Sequence, residues 1–422
     1  MTTHPSAAPS SKLSLAAIGA WLLVAIYYFY QYALRSAPSV MMPQLTKAFA
    51  VDALGVSAIV GMFYYGYSPF SLVAGAAIDR FGAKRIIPIG AALVGIGALL
   101  FGMGNVAAAN VGRFLQGAGG VFALVGAVYL VTKNFPAAQA ASFIGATQMF
   151  GMAGGSAGQF CVGPLIKGGL SWSQFWIYAG ILGLIIAVCL FAFLPLEKAK
   201  PVAKTSGKGA IASVLRSLGK VFLNPQSILC GLIAGLLFIP TTILGMTWGV
   251  RFLQEARGRE FEAAVTLAAT VPLGWMIGCP LLGFISDKLG RRKPVIFAGA
   301  LLLLILVGWV LFGNASVFRG PAVGILMGIA SGAAMLPYTV IKEANPPELG
   351  GSATGVINFI NFTFSAFLGP VFGSRLVKSP DDTETSALAH YQAGFKPLIY
   401  GILIALILAC FLKETGPARR KG

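Results

Sequence analysis

Three polar side chains share one face of the first long apolar segment of this sequence. Tyr28, Tyr32 and Arg35 are spaced at i, i+4 and i+7, so a helix places them in a row. A charge deep in an apolar helix is expensive unless it faces a cavity or a partner. An arginine beside two phenol hydroxyls suits a carboxylate or a phosphate. The row predicts an anion site; alternatively, Arg35 extends to the outer surface, where its charge stays hydrated.

Further polar and aromatic side chains fall in the middle of other apolar segments, and some of them must line any central cavity. Taken singly, each is explained equally well by helix packing or by the membrane interface. Asn358 and Asn361 share a helix face at i, i+3 and join the predicted binding set. The set is completed by Tyr64, Tyr65, Gln148, Thr242, Trp248, Trp275 and Tyr338.

Twelve apolar segments are long enough to cross a bilayer, which takes about 20 apolar residues. The composition agrees, since 57% of the residues are hydrophobic, 10% are charged and the mean hydropathy is +0.80. The sequence therefore predicts an all-α integral membrane protein. The segments are 14–43, 54–78, 86–104, 106–131, 140–165, 172–195, 226–250, 262–285, 294–313, 319–341, 351–377 and 393–412.

A polar interruption divides the twelve segments into two sets of six. Within it, Ile211, Val214 and Leu218 are spaced for an amphipathic helix on the membrane surface. The predicted organisation is a tail at 1–13, a first bundle at 14–196, a linker at 197–225, a second bundle at 226–413 and a basic tail at 414–422.

A charged turn occurs twice, half a chain apart, each time between two apolar segments. The second copy follows the first at a constant offset of 208 residues. Such a repeat indicates a duplicated membrane protein with two pseudosymmetric halves. The matching positions are Gly75, Asp79, Arg80, Gly82 and Arg85 in the first copy and Gly283, Asp287, Lys288, Gly290 and Lys293 in the second.

The net charge of +18 is distributed by membrane side. An even number of spans puts both termini on one side, and that side would carry 20 Lys and Arg residues against 9 on the other. This excess obeys the positive-inside rule, so both termini are expected in the cytoplasm. The charge indicates membrane orientation rather than nucleic-acid binding. The Ala- and Gly-rich composition with short loops suggests a bacterial inner membrane.

The repeated turn closely resembles the motif of the major facilitator superfamily between helices 2 and 3 and between helices 8 and 9. In that family the motif is a conformational latch, and the resemblance gives this role to Asp79, Arg80, Arg85, Asp287 and Lys288 with the glycines around them. The expected contacts are with the start of segment 11 for Asp79 and of segment 5 for Asp287, where a carboxylate meets a helix dipole. Such contacts would close the cytoplasmic side.

Two further runs resemble the same superfamily. The run from Tyr32 to Pro38 is similar to the first-helix arginine region of its organic-anion and organophosphate transporters. Arg113, Gln116 and Gly117 resemble its fourth-helix pattern, in which the arginine serves coupling or helix packing. The resemblance implies two six-helix bundles that rock about a mid-membrane site and expose it to each side in turn.

Acidic residues fall in loops or near segment ends, and Glu343 is the nearest to mid-depth. Proton-coupled transporters usually need an intramembrane carboxylate or histidine. An exchanger or uniporter is therefore favoured over a carboxylate-driven proton symporter, and a cationic substrate is disfavoured. The sequence has no phosphate-binding loop for ATP, no nucleophile–base pair and no metal-ligand cluster, so we expect neither an enzyme nor a cofactor.

The sequence thus predicts a monomeric secondary transporter for a small organic anion, sugar acid or amino acid. One alternative is drug efflux, but the Gly-Pro-x-x-Gly-Gly pattern of drug antiporters is degraded, since Gly163-Pro164 is followed by one residue too many before Gly168-Gly169. A second alternative is a non-transporting nutrient sensor, which would usually need a signalling domain or a long tail.

Overall fold

The computed structural model describes residues 14–195, 207–313, 321–376 and 387–416, and every regular element in these ranges is helical. The predicted tail at 1–13 and most of the tail at 414–422 lie outside them. The helices are α1 (Leu15–Ser36), α2 (Met42–Phe49), α3 (Ala53–Phe81), α4 (Ala83–Gly102), α5 (Val106–Asn134), α6 (Ala137–Phe160), α7 (Val162–Lys167), α8 (Trp172–Phe193), α9 (Gly207–Phe222), α10 (Pro225–Pro240), α11 (Gly249–Glu255), α12 (Phe261–Leu289), α13 (Lys293–Phe312), α14 (Ala322–Ser331), α15 (Leu336–Glu343), α16 (Gly350–Leu376) and α17 (Ala387–Phe411).

The chain is an integral membrane protein with twelve spans, six in each half. Among the described residues nine helices are long and apolar enough to cross a membrane, and ten if the bent pair of α2 and α3 counts as one span. The other two spans are α6 and α16, of 24 and 27 residues. Both pack against the other half of the molecule, α6 on α12 and α16 on α3, so they need less lipid-facing apolar surface.

Two spans are broken by irregular turns. After Pro240 a π-helical turn, Thr241–Gly245, separates α10 from α11, and a 3-10 turn, Gly332–Met335, separates α14 from α15. Breaks of this kind are tolerated in a membrane where the backbone is buried in protein. Between the halves, α9 lies in the predicted linker, at the position expected for an amphipathic helix.

Close helix crossings hold each half together. Gly117 on α5 lies against α3, and a Cβ at this position would overlap the carbonyl oxygen of Phe63. Small residues allow such backbone approaches in lipid, where apolar burial gives little driving force. This crossing fixes Phe63, and with it the neighbouring Tyr64, at the inner surface of the first half.

We call the end of the molecule with the two charged turns the basic face and the other end the opposite face. Near the opposite face the halves are joined between α6 and α12, where Ser156 donates to the carbonyl of Ala269 at 2.8 Å. The ammonium of Lys167 pairs with Glu262 at 2.5 Å in the same region. Towards the basic face the same two helices line a cavity of about 500 Å³ instead. The cavity that these two helices line is therefore open on the basic face.

Candidate functional site

The row of polar residues on α1 forms as predicted and faces the interior. The rings of Tyr28 and Tyr32 are 5.0 Å apart, and the Cζ of Arg35 lies 5.0 Å from the ring centroid of Tyr32. Arg35 is only 3% exposed. The alternative in which Arg35 extends to the outer surface is therefore wrong for this structure.

Aromatic rings from both halves surround the Arg35 guanidinium. Its Cζ lies between 4.9 and 5.6 Å from five ring centroids, a range in which cation–π attraction is significant. The first half contributes Tyr32, Phe63 and Tyr64, and the second contributes Phe238 and Phe362. We call these five rings the aromatic cage.

Most of the hydrogen-bond donors of this guanidinium are unpaired within the described residues. Its Nε donates to the hydroxyl of Tyr64 at 3.2 Å, whereas neither terminal nitrogen has a partner in the described part of the chain. No carboxylate is paired with Arg35 among the described residues. A buried cation whose strongest donors are unpaired is an expensive arrangement, which the cage only partly offsets. Such a site is suited to a ligand that brings its own negative charge.

A narrow extension of the basic-face cavity reaches the cage. Tyr32, Phe238 and Phe362 belong to the cage and also line this extension, so Arg35 lies one ring behind its wall. In the conformation seen here, the rings therefore screen the cation from the cavity.

The second half builds the facing wall from neutral polar groups. The hydroxyl of Tyr338 donates to Asn358 at 2.7 Å and accepts a hydrogen bond from the amide of Asn361 at 3.0 Å. From the first half, Tyr28 donates to the side-chain oxygen of Gln148 at 2.8 Å. The wall can therefore hydrogen-bond a polar ligand without adding a second charge.

Most of the predicted binding residues lie together, and three do not. Tyr28, Tyr32, Gln148, Trp275, Tyr338, Asn358 and Asn361 line the narrow extension, and Arg35 and Tyr64 lie just behind it. Tyr65 is 38% exposed and contacts Phe367 on the outer surface. Thr242 and Trp248 are buried but do not line the cavity; Thr242 lies in the π-helical turn after Pro240.

The sequence did not reveal Phe238 and Phe362, which line the extension together with Tyr67. Aromatic residues are common in every segment, so composition does not single them out.

A profile of the Major Facilitator Superfamily matches residues 24–370. The chain belongs to this superfamily. It is 26% identical over 380 residues to the hexuronate transporter of Bacillus subtilis, covering 85% of this chain and 87% of the relative. It is 24% identical over 431 residues to the membrane sensor protein UhpC of Salmonella typhimurium, covering 94% and 91%. A crystal structure of the nucleoside transporter NupG has the same fold, with a TM-score of 0.71, 14% identity and coverage of 93% and 99%.

The superfamily's fourth-helix arginine, Arg113, is held by the protein itself. It donates to the carbonyl of Leu34 at 3.2 Å, to the carbonyl of Val60 at 3.4 Å and to Gln116 at 2.7 Å. These contacts tie α5 to α1 and α3. Contacts of this kind are typical of a packing residue. Arg35 and Arg113 both lie over the ring of Phe63, but the terminal nitrogens of Arg35 have no carbonyl partner among the described residues.

The superfamily's charged turns differ between the two halves. Both contain the expected glycine at positive φ, Gly82 at +85° and Gly290 at +64°. In the first turn the guanidinium of Arg80 stacks on Phe81 at 5.5 Å. In the second, Asp287 pairs with Arg292 of its own turn, and no contact among the described residues joins it to the start of α6. Arg85 and Lys288 lie in the same turns, and the latch role of all these residues stays a prediction.

Glu343, the acid nearest to mid-depth by sequence, lies at the end of α15 and is engaged in this second turn. It accepts from Arg292 at 2.9 Å and from the hydroxyl of Thr415 at 2.5 Å. Glu414 accepts from the backbone N–H groups of Arg292 and Lys293 and so caps the start of α13. None of the described carboxylates lines the cavity or its extension.

Proposed function

We propose that this protein is a secondary transporter that carries a small organic anion across the membrane through the site between its halves. The observation that carries the proposal is the Arg35 guanidinium, buried between the two halves with both terminal nitrogens unpaired within the described residues. A carboxylate can accept two parallel hydrogen bonds from such a group. The similarity to the hexuronate transporter of Bacillus subtilis supports this substrate class.

The aromatic cage stabilises the unliganded site. Rings from both halves stabilise the cation by its quadrupole attraction when no carboxylate is present. Phe238 and Phe362 belong to the second half, so a rocking motion of the halves would withdraw them from Arg35. The anion would then replace the rings on the guanidinium.

We infer that coupling occurs by substrate exchange or uniport. No described carboxylate lines the cavity, so the usual intramembrane proton carrier is missing from the described lining. The same lack disfavours lipophilic cations, because no described group of opposite charge would receive them.

A ligand panel with an arginine variant tests the site. Carboxylates, amino acids, sugars, nucleosides and lipophilic cations are screened for thermal stabilisation of the purified protein, with Arg35→Ala beside the wild type. A ligand at 100 times its Kd adds about 2.7 kcal/mol to stability. Loss of a hydrogen bond to a charged group is worth about 1.5–3 kcal/mol. We therefore expect carboxylates to stabilise the wild type and to bind roughly 10- to 100-fold more weakly to Arg35→Ala.

The control is Arg216→Ala on the exposed side of α9, which should bind as the wild type does. Stabilisation by lipophilic cations alone, or carboxylate binding indifferent to Arg35, would refute the anion site and favour drug efflux.

A sensor is the second candidate, because the similarity to UhpC covers almost the whole chain. A sensor would bind the same anion but would not move it. Binding alone therefore does not separate the two, and a transport assay is needed.

A further inference from the structure

We propose that the wall formed by the second half recognises a hydroxyl group, so that the ligand is a hydroxy-carboxylate. This inference rests on the proposed function, since it assumes that the carboxylate end binds Arg35. It specifies the chemistry of the other end of the ligand and makes Asn361 the residue that determines this specificity.

The orientation of the Asn361 amide follows from that of Asn358 through the hydroxyl of Tyr338. The Tyr338 hydroxyl has a single proton, which it donates to the oxygen of Asn358 at 2.7 Å. The same hydroxyl must therefore accept from Asn361, and it does so from the amide nitrogen at 3.0 Å. This leaves the side-chain oxygen of Asn361 as an acceptor.

That oxygen has no partner among the residues that the structure describes, and neither has the indole N–H of Trp275. Asn361 is 5% exposed and Trp275 is 3% exposed, and both line the narrow extension of the cavity. Among the buried, described side-chain atoms without a partner, these two are the ones that line it. A buried polar atom left unpaired carries a desolvation penalty, which a ligand that pairs it would remove.

Asn361 offers an unpaired acceptor and Trp275 an unpaired donor, both residues lining the same narrow extension, and a hydroxyl has the complementary groups. A hydroxyl can donate to Asn361 and accept from Trp275 at the same time. An ammonium group fits poorly, because it offers no acceptor to Trp275 and finds no described carboxylate along the cavity. Sites built to bond a hydroxyl reject ligands that lack it by large factors, since their own polar groups stay unpaired.

The two ends of the ligand would be held by different halves. Arg35 belongs to α1, whereas Asn361 belongs to α16 and is followed directly by Phe362 of the cage. A hydroxy-carboxylate could therefore bridge the halves, and a deoxy-carboxylate would engage mainly the first half.

Pairs of acids with the same carbon skeleton, one member carrying hydroxyl groups and the other none, test this inference. The pairs are lactate and propionate, gluconate and hexanoate, and 3-(3-hydroxyphenyl)propionate and 3-phenylpropionate, and the Kd of each acid is measured by thermal stabilisation. In the wild type we expect the hydroxylated member of at least one pair to bind tenfold or more tightly than its partner. Asn361→Leu should reduce this ratio to near 1, while the dependence on Arg35 is kept.

Two further variants secure the result. Trp275→Phe keeps an aromatic ring but removes the N–H, so it should also lower the ratio of affinities between the two members of a pair. This variant replaces Asn361→Leu as the test if Asn361→Leu does not fold. Asn110→Leu on α5, whose amide donates to the carbonyl of Val106, is the matched control and should keep the wild-type ratio.

The possible failures are distinguishable. Equal binding of both members of every pair, with Arg35 still required, would overturn the hydroxyl inference and leave the anion site standing. A ratio that survives both Asn361→Leu and Trp275→Phe would overturn it as well. Binding that is indifferent to Arg35 would instead refute the proposed function.

Discussion

Arg35 and Arg113 look alike in the sequence, since both are single arginines inside apolar helices. In the structure Arg113 has carbonyl and amide partners, whereas the terminal nitrogens of Arg35 have none among the described residues. The depth of Arg35 and its row with two tyrosines could be predicted from helical spacing. Its aromatic cage could not be predicted, because Phe238 and Phe362 belong to the other half. They lie about 200 and 330 positions from Arg35 in the sequence, and no local pattern connects residues so far apart.

The carboxylate of Glu414 makes a pH-dependent contribution to stability. Burial alone would raise its pKa, but four backbone N–H donors at the start of α13 and in its own turn stabilise the charged form and hold the pKa below its ordinary value. The pKa of Glu414 is lower in the folded protein than in the unfolded chain. Its contribution to stability is therefore complete above the pKa of the unfolded chain and is lost as the pH falls through the pKa of the folded protein. Arg292, Glu343 and Asp287 are the charged neighbours.

We therefore expect Glu414→Ala to have a lower Tm than the wild type at pH 7. The difference between the two Tm values should become smaller as the pH approaches 4. The loss at pH 7 should be about 0.5–2 kcal/mol, the usual value of a helix cap. Thermal unfolding from pH 4 to pH 7 checks this, with the exposed Glu348→Ala as the control. A constant difference at every pH would show that the carboxylate charge is not involved.

At the scale of the helices, α6 and α16 show what hydropathy can and cannot predict. The sequence predicts both as spans. Of the two, α6 is too weakly apolar to be identified by hydropathy alone, and it packs against α12 of the other half. The breaks after Pro240 and at Gly332–Met335 were not predicted, and Thr242, expected to line the cavity, lies in the first of them. Proline and glycine mark such places without specifying the turn that results.

The glycines of the charged turns should matter for a conformation other than this one. A Cβ on Gly75 or Gly283 would meet no atom within 4 Å, since both line the open cavity. If the latch closes the basic face, the helices must approach each other at these positions. Gly75→Val and Gly283→Val should therefore fold normally, favour the open conformation and slow transport severalfold or more.

Thermal unfolding and transport rates measure the two effects separately. Gly117→Val should instead destabilise the fold, because that position is filled in the present conformation, and overpacking typically costs about 1–3 kcal/mol. Gly219→Val on α9, which also has open space, is the control for transport. Normal transport by both cavity variants would contradict the latch.

At the scale of the whole molecule, the duplication was the strongest prediction from sequence. The constant offset between the charged turns implied two similar halves, and the structure has six spans on each side of α9. Which face is open could not be predicted, because both conformations of an alternating-access protein use the same helices and differ only in contacts between halves. Those contacts, on α3 with α16 and α6 with α12, involve small and weakly polar residues that carry no distinctive pattern.

The most direct test of the account is counterflow into proteoliposomes. Vesicles containing the protein are loaded with an unlabelled carboxylate that stabilises it, and uptake of the same labelled carboxylate is followed for the wild type, Arg35→Ala and Arg216→Ala. We predict rapid uptake by the wild type and Arg216→Ala and no uptake above empty vesicles by Arg35→Ala. Binding without any uptake by the wild type would favour a sensor, and undiminished uptake by Arg35→Ala would contradict the account.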